Sequence, residues 1–101
     1  MNYKLVISEL AAYDLVTIGN YIKNELLNPE AAERIYFKIR SKIDNLVYFS
    51  EIFQEIIVHS RKYRRMPVEK YNVFYLINKK SKTITIVRVL YTGIDISKVA
   101  M

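Results

Sequence analysis

Cysteine is absent from this chain of 101 residues. That excludes a disulfide framework, a thiolate nucleophile and a Cys-ligated metal, and it suits a reducing cytoplasm. There is a single histidine, His59, so no His pair exists to bind a metal, and without a nearby Ser and Asp it makes no catalytic triad. The only glycines are Gly19 and Gly93, too few and too far apart for a loop that cradles phosphate. Zinc-protease, EF-hand and nucleophile-elbow patterns are missing as well, so neither a metal nor another cofactor is expected. No apolar run approaches the ~18 residues of a membrane span, and the N-terminus lacks the basic-then-apolar order of a signal peptide. Repeats, low-complexity tracts and linkers are also lacking. The expectation is a soluble, cytoplasmic protein with no membrane partner.

About half the positions are apolar (51%), enough to build one core without staples, and residues 1–101 are expected to form a single domain. The net charge of +6 is unevenly shared. Residues 1–58 carry six basic and eight acidic side chains, a balance of −2, whereas residues 59–101 carry ten against two, a balance of +8. The positive field therefore belongs to the C-terminal part, which suits a phosphate-rich or acidic partner.

Tyr3-Lys4-Leu5-Val6-Ile7 is a short β-type run ending at Ser8, a good helix N-cap. Ala11, Leu15, Ile18 and Ile22 then recur at helical spacing, predicting an amphipathic helix of about five turns with Asp14, Asn20 and Lys23 largely on the solvent side. Asn28-Pro29-Glu30 stops this helix and starts another, because Asn caps, Pro suits the first helical position and Glu favours the positive end of the dipole. The second stripe is Ala32, Ile35, Ile39, Ile43 and Leu46, and so short a link makes an antiparallel helix hairpin. Residues 48–60 show no clean period and read either as a packed loop or as an additional short strand. Three strand-like runs follow at 61–68, 71–78 and 82–91, the last two joined by a hairpin at Asn78-Lys79-Lys80-Ser81. Runs 71–77 and 83–91 are apolar on both alternating sets, so both sheet faces need cover. Two helices cover one face only. The other, basic and aromatic, is the natural place for a partner.

Basic residues sit inside these sheet-forming runs, in Arg61-Lys62-Tyr63-Arg64-Arg65-Met66-Pro67-Val68 and in Ile86-Val87-Arg88-Val89-Leu90-Tyr91. Arg64 alternates with Met66 and Val68, which suits an arginine tying strands together, whereas Arg65 shares its face with Tyr63 and belongs to an open basic surface. Arg88 reads as sharing a face with Ile86 and Leu90, and Tyr91 as in line with Val87 and Val89. Lys79, Lys80 and Lys82 read as solubilising charge at a hairpin tip.

The order strand, helix hairpin, antiparallel sheet is joined here to the strings Tyr-Arg-Arg-Met-Pro-Val, Tyr-Asn-Val-Phe-Tyr and Ile-Val-Arg-Val-Leu-Tyr-Thr-Gly-Ile-Asp. In this combination the sequence resembles the RelE/ParE superfamily of bacterial type II toxins over nearly its whole length. The resemblance implies an α+β fold of the form β-α-α-β-β-β and a small basic toxin. It also implies a cognate antitoxin that wraps round the toxin with a partly disordered, acidic segment. Relatives act either by ribosome-dependent mRNA cleavage or by poisoning DNA gyrase, so the second partner is gyrase or the ribosome with its mRNA.

Family nucleases commonly carry an Arg after the Tyr or His that opens the third sheet strand, and one or two Arg before an Asp after the fourth. This chain has Asn72 after Tyr71, and Thr92-Gly93-Ile94-Asp95 after Tyr91. Losing a preorganised cation from a phosphoryl-transfer site costs on the order of a hundredfold in rate. The resemblance therefore tilts toward binding-based poisoning of gyrase, with Arg61, Lys62, Arg65, Tyr71 and Asn72 as contact residues. A metal-independent nuclease would instead depend on Arg64, Arg65 or Arg88 to hold phosphate and on Tyr91 to move the proton. A further alternative is a nucleic-acid-binding module without toxicity that uses the basic sheet face with Tyr63, Tyr71 and Tyr75.

Overall fold

In the computed structural model, which describes residues 3–101, β1 (Lys4–Ile7) hands over to α1 (Glu9–Asn20) at Ser8, whose hydroxyl accepts the Ala11 N–H at 3.1 Å. Asn28 caps α2 (Pro29–Asp44) in the same way, accepting the Ala31 N–H at 3.1 Å. Each cap satisfies an otherwise orphaned donor and contributes about 1 kcal/mol. α1 loosens at its end into a π turn (Tyr21–Glu25), where the Leu26 N–H reaches back five residues to the Tyr21 carbonyl. Positive φ at Leu27 then reverses the chain, and α2 packs back on α1 and the π turn. A four-residue helix, α3 (Leu46–Phe49), begins after Asn45, so Leu46 reaches the core from α3 and not from α2.

The unassigned stretch 48–60 contains the additional strand, β2 (Gln54–Val58). It is followed by β3 (Arg61–Val68), β4 (Tyr71–Asn78), β5 (Thr83–Tyr91) and a 3-10 turn (Ile96–Lys98). The sheet runs β1-β5-β4-β3-β2, antiparallel except for the parallel β1–β5 pair. Sequence reading leaves β2 open between loop and strand because Ile57, 74% exposed, sits between half-buried Ile56 and buried Val58, so no hydrophobic alternation marks it. Its turn into β3 places His59 and Ser60 at φ 50° and 64°, the two left-handed positions of a type I′ hairpin. L-residues hold that geometry at a cost of roughly 1–2 kcal/mol each. Ser60→Gly is therefore expected to raise stability by about 1 kcal/mol, seen as a higher urea midpoint at unchanged slope.

The main core lies between helices and sheet. Ala11 and Leu15 of α1 and Ile39 and Ile43 of α2 pack on Met66, Val73, Tyr75, Ile84 and Ile86, most of them fully buried. A second, smaller cluster of Val58, Tyr63 and Val87 lies elsewhere in the sheet, with Ile96 and Met101 of the C-terminal segment packed against it. The chain's own C-terminal segment thus covers part of the face that sequence reasoning left to a partner.

β1 pairs only with Thr83–Ile86, which would leave the rest of that edge of β5 unbonded. The start of α1 fills the gap. Ser8 donates its hydroxyl to the Val87 carbonyl at 2.9 Å, and the Asp14 carboxylate accepts the Val89 N–H at 2.9 Å. Asp14 is therefore buried, 7% exposed, and not on the solvent side where helical periodicity puts it. A sheet edge needing an acceptor overrides the preference of a carboxylate for water.

Candidate functional site

Strand register decides which basic residues meet. Arg65 lies opposite both Gln54 and Phe74, and Phe74 opposite Arg88, so one row crosses four strands as Gln54, Arg65, Phe74, Arg88. A bulge on β5 at Val87, opposite the Phe74–Tyr75 step of β4, leaves Ile86 facing Tyr75 and Arg88 facing Phe74. Arg88 accordingly does not share a face with Ile86, as simple alternation implies, and Tyr91 keeps step with Val89 but not with Val87.

Arg88 is committed to its own protein. Its Nε and Nη2 donate to the two Asp14 oxygens at 2.8 and 2.9 Å, and Nη1 donates to the Ala100 carbonyl. Its side chain is 14% exposed, and the Asp14 hydrogen bond raises its pKa further above the ordinary arginine value. Arg64 is committed too, donating from Nη1 to the carbonyls of Glu51 and Phe53 at 3.0 and 2.8 Å, with Glu55 at 3.6 Å from Nη2. It anchors the loop between α3 and β2, with help from Tyr75, whose hydroxyl donates to the Ser50 carbonyl at 2.6 Å. Arg65 differs. It donates one bond, from Nη2 to Gln54 at 2.7 Å, while its buried Nε has no partner among the described residues.

The remaining candidates lie at opposite ends of the sheet. Tyr71 pairs with Tyr91 at one end of β4, and Asn78 with Thr83 at the other, seven residues or about 23 Å away at ~3.3 Å per residue. Tyr71 and Tyr91 meet edge to face at 6.1 Å, and burial, with the neighbouring phenols of Tyr21 and Tyr91, raises the Tyr71 pKa. Half-exposed Tyr91 also lies against Gly93, where a Cβ would fall 2.7 Å from its Cε2. The ring occupies the space a side chain at 93 would need. Asn72, half-buried, sits one pair in from this end, opposite Pro67 and Leu90. Arg61 and Lys62 lie at the far end, Arg61 over the Tyr63 ring at 6.0 Å and Lys62 at 3.7 Å from Glu55. Beside them opens a groove of about 480 Å³ whose lining includes Lys62, Arg64, Lys79, Lys80 and Glu55.

Sequence reading missed Asp14 and Gln54, the partners that fix Arg88 and Arg65. Nothing in their local pattern distinguishes them from surface polar residues. Among the described residues no cluster of three or more His, Cys, Asp or Glu suits a metal ion, and no helix is long and apolar enough to cross a membrane.

The family model for the ParE toxin of the type II toxin-antitoxin system parDE matches residues 5–96. This chain belongs to the ParE toxin family. It is a ParE-type toxin of a type II toxin-antitoxin system. Among solved structures, the ParE-type chain resembles the chromosomal ParDE system from P. aeruginosa with a TM-score of 0.75 at 19% identity, covering 90% of this chain and 97% of that one. It also resembles the archaeal RelE–RelB complex from Pyrococcus horikoshii OT3 with a TM-score of 0.64 at 22% identity, covering 92% and 98%. Both likenesses establish the shared α+β fold. No curated protein sequence matches.

Proposed function

We propose that this ParE-type toxin arrests growth by binding and poisoning DNA gyrase, without cutting nucleic acid itself. The observation that supports this reading most is the commitment of Arg64 and Arg88 to internal carbonyls and to Asp14. A phosphoryl-transfer site needs a cation free to meet charge developing on phosphate. Freeing Arg88 for that purpose would strand a buried carboxylate. Tyr91, some distance along the sheet from Arg61 and Lys62, packs on Tyr71 and Gly93.

The test pairs two assays on the purified chain. Gyrase supercoiling is expected to be inhibited at micromolar toxin, equally by wild type and by Tyr91→Phe, with no codon-positioned cuts in mRNA on programmed ribosomes. Unchanged supercoiling, together with cuts lost in Tyr91→Phe, would establish the endoribonuclease reading instead. Arg65 favours that second reading, since it alone of the three arginines has a buried nitrogen without a partner among the described residues.

The cognate antitoxin is the other proposed partner, in keeping with the two similar structures, both toxin-antitoxin systems. An acidic amphipathic segment suits this chain. Leu10, Tyr13 and Val16 form an exposed apolar stripe along α1, Tyr36 and Phe37 lie exposed on α2, and the basic strands supply the complementary charge.

A further inference from the structure

The fold collects cations from across the sequence at one end of the sheet. Lys4 opens β1 and its N–H bonds the Lys82 carbonyl, Lys80 and Lys82 lie in the β4–β5 turn, and Arg61 opens β3. By the register, Arg64 faces Tyr75, so Arg61 falls beside Asn78 and the turn. All four side chains belong to exposed residues, and none has a carboxylate within 4.0 Å among the described residues. The carboxylates at this end are already engaged, Glu51 by Lys79 at 2.7 Å and Glu55 by Lys62 and Arg64 at 3.7 and 3.6 Å.

We propose that this end of the sheet is a binding edge for the phosphodiester backbone of duplex DNA, an activity that does not depend on the gyrase reading. Four cations spread over β1, β5, β4 and β3 span three strand spacings, about 14 Å at ~4.8 Å each. Successive phosphates of one DNA strand rise ~3.4 Å along the axis and, because the strand winds, lie about 7 Å apart, so a row of this width extended by long side chains reaches three to four of them. A duplex is favoured over a single strand because no fully exposed aromatic ring stands here to stack unpaired bases: Tyr63 and Tyr75 are 5% and 0% exposed, and Tyr3 beside Lys4 is partly buried against the core. An acidic peptide would meet the same charges, but a row held on a rigid sheet end suits a rigid, regularly spaced polyanion better than a flexible chain.

Fluorescence anisotropy of a labelled 20-base-pair duplex, titrated from 50 to 200 mM salt, tests the proposal. Four contacts give a log-log slope of about −3 to −4 and roughly a hundredfold loss of affinity over that range. Lys4→Ala, Lys80→Ala and Lys82→Ala should each flatten the slope by about one, and the triple variant should bring it near −1. All three are exposed lysines, so circular dichroism should show an unchanged fold. Lys70→Ala, in the β3–β4 turn at the opposite end, should leave the slope as it is. Absence of binding at 50 mM salt, an unaltered slope in the triple variant, or an equal loss from Lys70→Ala would overturn the assignment. So would tighter binding of a single-stranded oligonucleotide of equal length or of polyglutamate.

Discussion

Asp14→Ala is expected to cost about 3–5 kcal/mol, the range for removing one partner of a buried ion pair. That is a large share of the roughly 5–15 kcal/mol that holds a domain together. The loss comes from what stays behind. Arg88, with its side chain 14% exposed, would keep its charge without a counter-ion, and the buried Val89 N–H would lose its acceptor at an edge that β1 does not reach. Urea unfolding followed by circular dichroism measures the effect. Replacing both partners, as in Asp14→Leu with Arg88→Met, is expected to recover part of it, because the buried charge then disappears. A cost below 1 kcal/mol for Asp14→Ala would show that water reaches the pair. It would also release Arg88 as a phosphate ligand and weaken the argument against a nuclease.

Alkaline stability should turn on Tyr75. Burial pushes its phenol up to about 12 from an ordinary value of 10.0, Arg64 opposing in part, and its ring is 0% exposed. Below pH 10 the phenol is protonated in both folded and unfolded chains and contributes no pH dependence. Between about 10 and 12 the unfolded chain releases the proton while the folded chain retains it, so stability falls as pH rises, by about 1.4 kcal/mol per unit. The loss attributable to this group reaches roughly 2.3 kcal/mol by pH 12. Tyr75→Phe should cost about 1 kcal/mol at pH 7, through loss of the 2.6 Å bond to the Ser50 carbonyl, and its stability should decline less steeply above pH 10. Urea midpoints of the two proteins from pH 8 to 11.5 give the comparison. Parallel curves would mean that the hydroxyl is hydrated in the folded state.

Most of the architecture was legible in the chain because local rules agreed. Ser8 and Asn28 cap where a cap was expected, Pro29 begins α2, and Asn78 closes the β4–β5 turn by accepting the N–H groups of Lys80 and Ser81. Legibility failed where the controlling contact was remote. β2 stayed one of two readings because its exposed Ile57 is as apolar as its buried Val58, which erases the alternation. Asp14 has the helical phase of a surface residue and is buried by a strand 75 positions away. One bulge at Phe74/Tyr75 altered which β5 side chains share a face, a change of a single residue that period-2 counting cannot register.

The sequence by itself determined the order of the elements outside residues 46–60, the helix hairpin, the charge asymmetry and the family, since each rests on residues close together or on strings in a set order. Only the tertiary structure decided which basic residues are free. Arg64, Arg65 and Arg88 look alike in their strands, yet one anchors a loop, one keeps an unbonded nitrogen and one neutralises a buried carboxylate. Lys80 and Lys82, which read as turn solubilisers, stand beside Lys4 and Arg61 at one sheet end. The physical reason is that a charge acts according to what surrounds it. A guanidinium's partners and solvent exposure are set by strand register across dozens of residues, information that no local window contains.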